Sequence, residues 1–144
     1  MGFKRILIAV DNEAVAAHAA DVGADLARSL GADVALIHVI DPSPAVGVEF
    51  GISPDELIAQ TKQDGKRLLA GFRQRLSLQP PALEFVQAGT PSTEIVKAAR
   101  EWPADLIVIG SHGRGGAQRV LLGSVAEAVM RHTSCPVLVI RAGE

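Results

Sequence analysis

This 144-residue sequence contains little cysteine, no excess of basic charge and no long apolar run. With a single cysteine, Cys135, an intramolecular disulfide is impossible. A formal net charge of -2 provides no basic field to concentrate DNA or RNA, so we expect no nucleic-acid partner. No apolar run approaches the roughly 20 residues that cross a bilayer, which predicts no membrane partner. Residues 1–5 carry no signal-peptide pattern, so cytoplasmic residence is expected.

The composition is typical of a soluble globular protein. Hydrophobic residues make up 48% of the chain and charged residues 21%, which is too apolar for a disordered chain. A chain of this length buries roughly two thirds of its unfolded surface, which is enough for a full core. We therefore expect one domain over residues 1–144.

Short apolar runs alternate along the chain with segments of helical periodicity. The runs predict strands at residues 4–10, 33–39, 83–87, 105–110 and 136–140. The periodic segments predict helices at residues 15–30, from 53 until the prolines at 80–81 end it, from 91 through 102, and 124–132. Strands spaced by helices form parallel sheets with right-handed crossovers, which predicts an α/β three-layer sandwich. Ligands of such sheets bind beyond the carboxyl ends of the strands.

One strand-to-helix loop, residues 110–124, is unusually long, since such loops need only about 2–6 residues. Its glycines let backbone N–H groups approach an anion, and the start of the following helix favours a phosphate. Arginines would add charge-assisted contacts. The glycines and arginines between the two ends are Gly113, Gly115, Gly116, Gly123, Arg114 and Arg119.

The same loop has a plainer interpretation. Ser124 begins the capping-box pattern Ser-Val-Ala-Glu, so a helix cap is a sufficient role for its hydroxyl, and the glycines would only shape the turn. Short glycine patterns also occur without a ligand. The residues alone leave both interpretations open, and the two can coexist because a capping hydroxyl can also turn to a ligand.

The spacing Gly110-x-x-Gly113, then nine residues, then Gly123-Ser124 resembles the ATP-binding signature of the universal stress protein family. The resemblance covers nearly the whole chain. It implies a Rossmann-like, adenine nucleotide alpha hydrolase-like fold with a five-stranded parallel sheet in the order 3-2-1-4-5. It also implies membership of the ATP-binding, glycine-signature subgroup. The segments that carry it are residues 10–11, 38–40, 89–91, 110–115, 122–127 and 132–140.

This resemblance implies a site for ATP with Mg²⁺. Asp11 would lie near the ribose and the phosphate-bound metal, and Val39 would offer backbone contacts to adenine. Further residues would flank the nucleotide, wrap the ribose and phosphates, or hold the phosphate tail at the helix start. They are Ala9, Val10, Gly110, Ser111, His112, Gly113, Arg114, Gly115, Gly116, Gly123, Ser124 and Val125.

Asn12 and Glu13 depart from the family's pattern, in which Gly-Ser often follows the aspartate. Glu13 brings a negative charge near the expected phosphates, which bears on affinity and on the need for Mg²⁺. Without the resemblance, Asp11 would be explained as a cap of the first helix, because aspartates at strand ends commonly cap.

Other side chains capable of chemistry have plainer explanations. His38 lies in a buried-looking strand and is predicted to be a satisfied core residue, and Cys135 a small packed side chain. His112 has no recognisable base partner. The sequence contains no G-x-x-x-x-G-K-[ST], no G-x-S-x-G and no Cys/His metal cluster. We therefore expect no catalytic residues and at most slow ATP hydrolysis.

The resemblance implies an ATP-binding module of regulation or stress tolerance, with a slow ATPase or a nucleotide-free dimeric interaction protein as alternatives. The last strand, which begins with Pro136 and ends with Ile140, is strongly apolar and expected at a sheet edge. Such edges invite pairing with another chain. The family resemblance implies an antiparallel homodimer through this strand, and an edge covered by local loops is the alternative. The protein partner is not identified.

Overall fold

The computed structural model describes residues 2–41, 51, 53–111 and 123–141, and within them five strands alternate with four helices. The strands are β1 Arg5–Ala9, β2 Asp33–Ile40, β3 Leu83–Ala88, β4 Leu106–Ser111 and β5 Val137–Arg141. The helices are α1 Ala14–Leu30, α2 Pro54–Leu76, α3 Pro91–Glu101 and α4 Ser124–His132. Each predicted strand is present, with its ends moved by one residue or none.

The strands form a single parallel sheet in the order β3-β2-β1-β4-β5, which confirms the predicted topology. β1 lies at its centre, where Ile8 stands opposite Leu36 of β2 and Val108 of β4. All three side chains are fully buried. Covering on both faces explains why the central strands are continuous apolar runs rather than alternating ones.

Successive residues of each strand point to opposite faces of the sheet and so build two cores. Ile8 and Leu36 pack with alanines of α1 and with Leu69 of α2. Leu7 and Ile37 point the other way and pack with residues of α3 and α4. Two helices therefore cover each face, and the three-layer α/β sandwich is confirmed.

Four residues predicted to belong to strands lie just beyond them, namely Lys4, Val10, Asp105 and Pro136. Pro136 precedes β5 because it has no N–H to donate, yet its carbonyl still accepts from Ile107 N at 3.0 Å. Val10 follows β1, and its N–H still donates to Ile37 O at 2.9 Å. Among the described residues, no helix combines the length and the apolarity needed to span a membrane.

An ion pair joins α1 to α2 on the outside of the sandwich. The Arg75 guanidinium donates to both carboxylate oxygens of Asp21, from Nε at 2.9 Å and from Nη2 at 2.7 Å. These hydrogen bonds lower the pKa of the Asp21 carboxyl below its ordinary 3.8, while partial burial acts in the opposite direction. A carboxyl whose pKa is depressed by folding stabilises the fold above its unfolded pKa, and this contribution is lost as the pH falls through the folded pKa.

We expect Asp21→Asn to lower the midpoint of thermal unfolding by about 1–2 °C at pH 7, because both partners are about half exposed and solvent screens the pair. The difference from the unmodified chain should shrink as the pH falls below 3.8, and it should disappear below the lowered pKa of Asp21 in the folded chain, where the carboxyl is protonated in both states. Calorimetry at pH 7 and at a series of acidic pH values measures this. Asp25→Asn, which breaks the more exposed pair with Arg28, is the matched control and should have the smaller effect. An Asp21→Asn difference that persists undiminished in acid would contradict the assignment.

Candidate functional site

A cleft opens at the carboxyl ends of β1, β2 and β4, where a parallel sheet of this kind holds its ligands. It encloses about 570 Å³ of empty space, part of it open to solvent. Its lining is mostly apolar, with one carboxylate and one imidazole. The lining residues are Ala9, Val10, Asp11, Val15, Ala16, Ile37, His38, Val39, Pro91, Ile95, Ile109, Gly110 and Val125.

Ala9 forms the floor of the cleft because it is the small member of a row of three. In the sheet register it stands between Ile37 of β2 and Ile109 of β4. Registered neighbours in a parallel sheet point to the same face, so two branched side chains flank one methyl group. The depression that results lies at the strand ends, below α3 and α4.

The turn that follows β1 is tied to β2 by both main-chain groups of Val10. Its N–H donates to Ile37 O at 2.9 Å, and its carbonyl lies 3.0 Å from His38 Nδ1. A carbonyl can only accept, so Nδ1 carries the proton. The other edge of the ring faces α2, where a methyl group on Gly65 would stand 3.1 Å from His38 Cδ2. His38 is a satisfied residue, as predicted, but it also lines the cleft.

Asp11 stands at the mouth of the cleft, half-buried, with Oδ1 accepting a hydrogen bond from Glu13 N at 2.9 Å. The cap of α1 is Glu13 and not Asp11, so the explanation of Asp11 as a helix cap is wrong. A bond to the N–H two residues ahead is a local turn of the kind aspartate favours. It directs the carboxylate towards the start of α1.

Gly110 is required by packing at the end of β4. A Cβ there would lie 2.9 Å from Val15 Cγ1 and 3.1 Å from Val15 Cγ2, in the first turn of α1. The branched Val15 side chain has little room to withdraw, because it is itself buried. The missing side chain lets α1 approach the strand that leads into the long loop.

Among the described residues, no side chain caps the start of α4. Its N-cap is Gly123, in an extended conformation, whose carbonyl accepts from Glu127 N at 2.9 Å. Ser124 is the first residue of the helix and is exposed. The capping-box interpretation of Ser124 is therefore wrong, since the residue in the capping position has no hydroxyl to offer. Val125 follows directly and lines the cleft, so this helix begins beside it.

The structure brings together part of the predicted site. Ala9, Val10, Asp11, Val39, Gly110 and Val125 line the cleft. Ser111 is buried at the end of β4, and Gly123 and Ser124 stand at the start of α4 next to Val125. The predictions for His112, Gly113, Arg114, Gly115 and Gly116 lie outside the described residues.

Sequence reasoning missed most of the apolar wall. His38 and Pro91 lie in segments that carry the family resemblance, whereas the other five carry no motif, and their only signal is the strand or helix periodicity that places them in the core. Their arrangement around a gap follows from sheet register and helix position. The lining residues that the sequence did not assign to the site are Val15, Ala16, Ile37, His38, Pro91, Ile95 and Ile109.

Known proteins with similar sequences and folds agree with this architecture. Universal stress protein MJ0531 of Methanocaldococcus jannaschii is 35% identical over an alignment of 144 positions that covers 96% of this chain and 82% of that protein. The solved structure of the hypothetical protein MJ0577 superposes with a TM-score of 0.84 at 29% identity, covering 100% of this chain and 99% of the other. A universal stress protein solved in complex with cAMP has the same fold, with a TM-score of 0.69 at 21% identity over 97% and 98% of the two chains.

The sequence model of the universal stress protein family matches residues 2–141. That span includes all five strands and all four helices described above. The chain therefore belongs to the universal stress protein family.

Proposed function

We propose that the cleft binds ATP with Mg²⁺ and that the chain is a nucleotide-responsive module of regulation or stress tolerance in the ATP-binding subgroup of its family. The observation that carries this proposal is the start of α4, which no described side chain caps, beside an apolar cleft. An apolar slot next to a helix N-terminus matches a ligand with a flat apolar base and an anionic tail.

The base end of the ligand lies over the Ala9 floor in this proposal. Ile37 and Ile109 flank the floor, and Ile95 of α3 lines the opposite side. Val39 ends the wall on β2, where its backbone groups contact adenine. An aromatic base buried among these side chains gains the usual hydrophobic stabilisation of about 25 cal/mol per Å² of apolar surface.

The phosphate end lies at the start of α4. Gly123, Ser124 and Val125 provide the first N–H groups of a helix whose dipole favours anions, by typically about 0.3–1 kcal/mol at an exposed end. The Ser124 hydroxyl, free of a capping role, adds a donor. Gly110 and Ser111 lead into the loop, and its residues 112–116 complete the wrapping of ribose and phosphates.

In this proposal Asp11, which lines the cleft, meets the phosphate-bound metal. Mg²⁺ is held in proteins by one or two carboxylates together with substrate phosphates and water, rather than by a full protein cage. The described residues contain no cluster of three or more His, Cys, Asp or Glu side chains fit to hold a metal ion. One carboxylate at the mouth of the cleft therefore suits a metal that arrives with the nucleotide.

We propose that the cleft holds ATP rather than consuming it, because the sequence carries no phosphoryl-transfer motif. A protein of this fold has been solved with cAMP, so the fold can accommodate an adenine nucleotide. Nucleotide occupancy would then act on the loop between β4 and α4 and on surfaces next to it.

We further propose that two chains pair antiparallel through β5. This strand ends the sheet, next to β4 alone. Four of its five residues are apolar and only half-buried, namely Val137, Leu138, Val139 and Ile140. A second strand along the free edge would cover these side chains and pair the open backbone groups.

The proposed function is tested on protein purified without added nucleotide. Mass spectrometry of the small molecules released on denaturation should detect an adenine nucleotide, and calorimetric titration with MgATP should saturate at one per chain. GTP is the comparison ligand. Absence of heat with ATP at millimolar concentrations would overturn the proposal. Phosphate release that survives extensive purification and is lost in Asp11→Ala would instead favour the slow ATPase.

His38 should govern nucleotide affinity through the hydrogen bond that holds Val10 and, next to it, Asp11. His38→Leu removes the donor, and we expect its Kd for MgATP to rise about tenfold, the equivalent of one hydrogen bond. His38→Asn retains an N–H donor at the position of Nδ1, so its Kd should stay within about twofold of the unmodified chain. Calorimetry gives both values.

Thermal unfolding of the two variants distinguishes a role of His38 in positioning Val10 and Asp11 from a role in the stability of the fold. If His38 only fills space, both variants lose stability and neither changes the Kd. Equal weakening of binding in His38→Leu and His38→Asn would also contradict the role of the hydrogen bond.

A further inference from the structure

Arg141 is the last residue of β5, and it lies at the edge of the sheet where the cleft opens. The sheet register pairs Arg141 with Ser111, one residue beyond Gly110, which lines the cleft. Neighbouring strands lie about 4.8 Å apart, so β5 is about 10 Å from β1, whose residue Ala9 forms the floor of the cleft. Arg141 therefore ends the sheet on the side of the cleft that is farther from the proposed adenine contact, Val39 of β2.

The side chain of Arg141 points to the face of the sheet that α4 covers. Val137 and Val139 of β5 pack with residues of α3 and α4, whereas Leu138 and Ile140 pack with those of α1 and α2. Because successive side chains of a strand alternate between the two faces, Arg141 shares the face of Val139. The Arg141 side chain therefore leaves the sheet on the same side as the floor of the cleft.

The start of α4 lies at the same edge and on the same face. α4 connects the carboxyl end of β4 with the amino end of β5, so it runs antiparallel to both strands and begins where they end. Val125, in its first turn, lines the cleft. The acidic residue of this turn, Glu127, is paired with Arg131 at 3.5 Å, one turn further along the helix. The first N–H groups of the helix add a partial positive charge.

Arg141 has no partner of its own within residues 2–41, 51, 53–111 and 123–141. It is exposed, and it forms no hydrogen bond or ion pair there. The other lysines and arginines of these ranges lie at the start of β1 or more than one turn beyond the start of a helix. Arg141 is therefore the described cation at the carboxyl edge, which it shares with the positive end of α4. Two like charges at one edge repel each other, and an anion bound between them is attracted by both.

We infer that the Arg141 guanidinium binds the outer phosphates of the nucleotide and makes the cleft select ligands by the length of their phosphate chain. This inference rests on the proposed function, since it concerns the same ligand. The adenosine lies over β1 and β2 in that proposal, so the phosphate nearest the ribose stays near β4, and the second and third reach towards β5. A guanidinium holds a phosphate through two parallel N–H···O bonds, which are among the strong hydrogen bonds of proteins.

Affinities for AMP, ADP and ATP in the presence of Mg²⁺ test the inference, with Arg141→Gln as the variant. Glutamine removes the charge and the fork of donors but keeps a polar side chain at the end of β5. We expect Kd to rise about tenfold for ATP, about fivefold for ADP and less than about twofold for AMP, because hydrogen bonds to the outer phosphates are lost. Calorimetry at low salt gives the three constants, and added salt should reduce the effect on ATP because it screens exposed charges.

Two further variants keep the test decisive. Arg141→Lys retains the charge but not the paired donors, so its Kd for ATP should lie between those of Arg141→Gln and the unmodified chain. Arg100→Gln removes the same charge from an exposed arginine in the last turn of α3, at the amino edge of the sheet. It should leave the ratio of the ATP and AMP constants unchanged. Thermal unfolding confirms that each variant is folded.

The outcomes separate this inference from the proposed function. If the unmodified chain binds adenine nucleotides but Arg141→Gln raises all three constants by the same factor, by no more than Arg100→Gln does, or not at all, the inference is overturned and the proposed function stands. If the unmodified chain binds none of the three nucleotides, the proposed function fails and the inference fails with it.

Discussion

Ala9→Ile should remove nucleotide binding while leaving the chain folded. The substitution adds three carbons to the floor of the cleft, and we expect the Kd for MgATP to rise at least about 30-fold, or about 2 kcal/mol of binding free energy. The reason is the sheet register, which places the small side chain of Ala9 between the larger side chains of Ile37 and Ile109. A third branched side chain would level the depression where the base lies.

Stability should change little in this variant. Enlarging a side chain at a fully packed core position lowers the free energy of unfolding by about 1–3 kcal/mol. The new carbons of Ala9→Ile extend instead into the open cleft. We expect the thermal midpoint to stay within about 3 °C. Calorimetric titration and thermal unfolding of the same preparation separate the two effects.

Ala70→Ile is the matched control for this prediction. It adds the same atoms at an exposed position of α2, away from the cleft, and its Kd should equal that of the unmodified chain. Retention of full affinity in Ala9→Ile would mean that the ligand does not lie on this floor. Unfolding of Ala9→Ile with loss of binding would mean that the floor is core and not site.

Val139→Pro should convert the proposed dimer into a monomer without unfolding the chain. The Pro136 carbonyl accepts from Ile107 N, so the backbone groups of Pro136 face β4. The backbone groups of successive residues in a strand point to opposite edges. Those of Leu138 therefore also face β4, and those of Val139 face the open edge of the sheet. Proline at position 139 therefore deletes a donor that only a second chain would use, and proline is tolerated at such edge positions.

Sedimentation at micromolar concentration should give the mass of two chains before the substitution and of one chain after it. Leu138→Pro is the opposing control: it removes a bond to β4 and should lower the unfolding midpoint by several degrees. A Val139→Pro protein that remains dimeric would place the interface elsewhere. A monomeric unmodified chain would contradict the homodimer itself.

Most of the fold could be predicted because the sequence is locally consistent. The short continuous apolar runs of β1 and β4 favoured buried strands, and α4 was predicted at the residues it occupies. The N-cap residue of α4 was not predicted correctly, although the sequence Ser-Val-Ala-Glu is a good capping box. The extended residue at the helix start is Gly123 (φ -63°, ψ 152°), one position earlier than the hydroxyl requires. Which residue takes the capping conformation depends on where the preceding loop enters, and sequence pattern does not fix that.

The site was predicted less completely, since its geometry comes from contacts between distant segments. The role of Ala9 depends on Ile37 and Ile109, which reach it only through the sheet register. The bond between His38 and the Val10 carbonyl follows from the same register. Glycine spacing indicated a phosphate loop from local sequence, but no local pattern marks an alanine as the floor of a cleft.

The central claim, that an adenine nucleotide occupies this cleft, is tested most directly by two-dimensional amide NMR during titration with MgATP. Saturable shifts should appear for Ala9, Val39, Gly110 and Val125, which line the cleft. The amides of Gly31 and Ser77, at the C-terminal ends of α1 and α2, should stay in place. No shifts at millimolar nucleotide, or shifts confined to Gly31 and Ser77, would contradict the account.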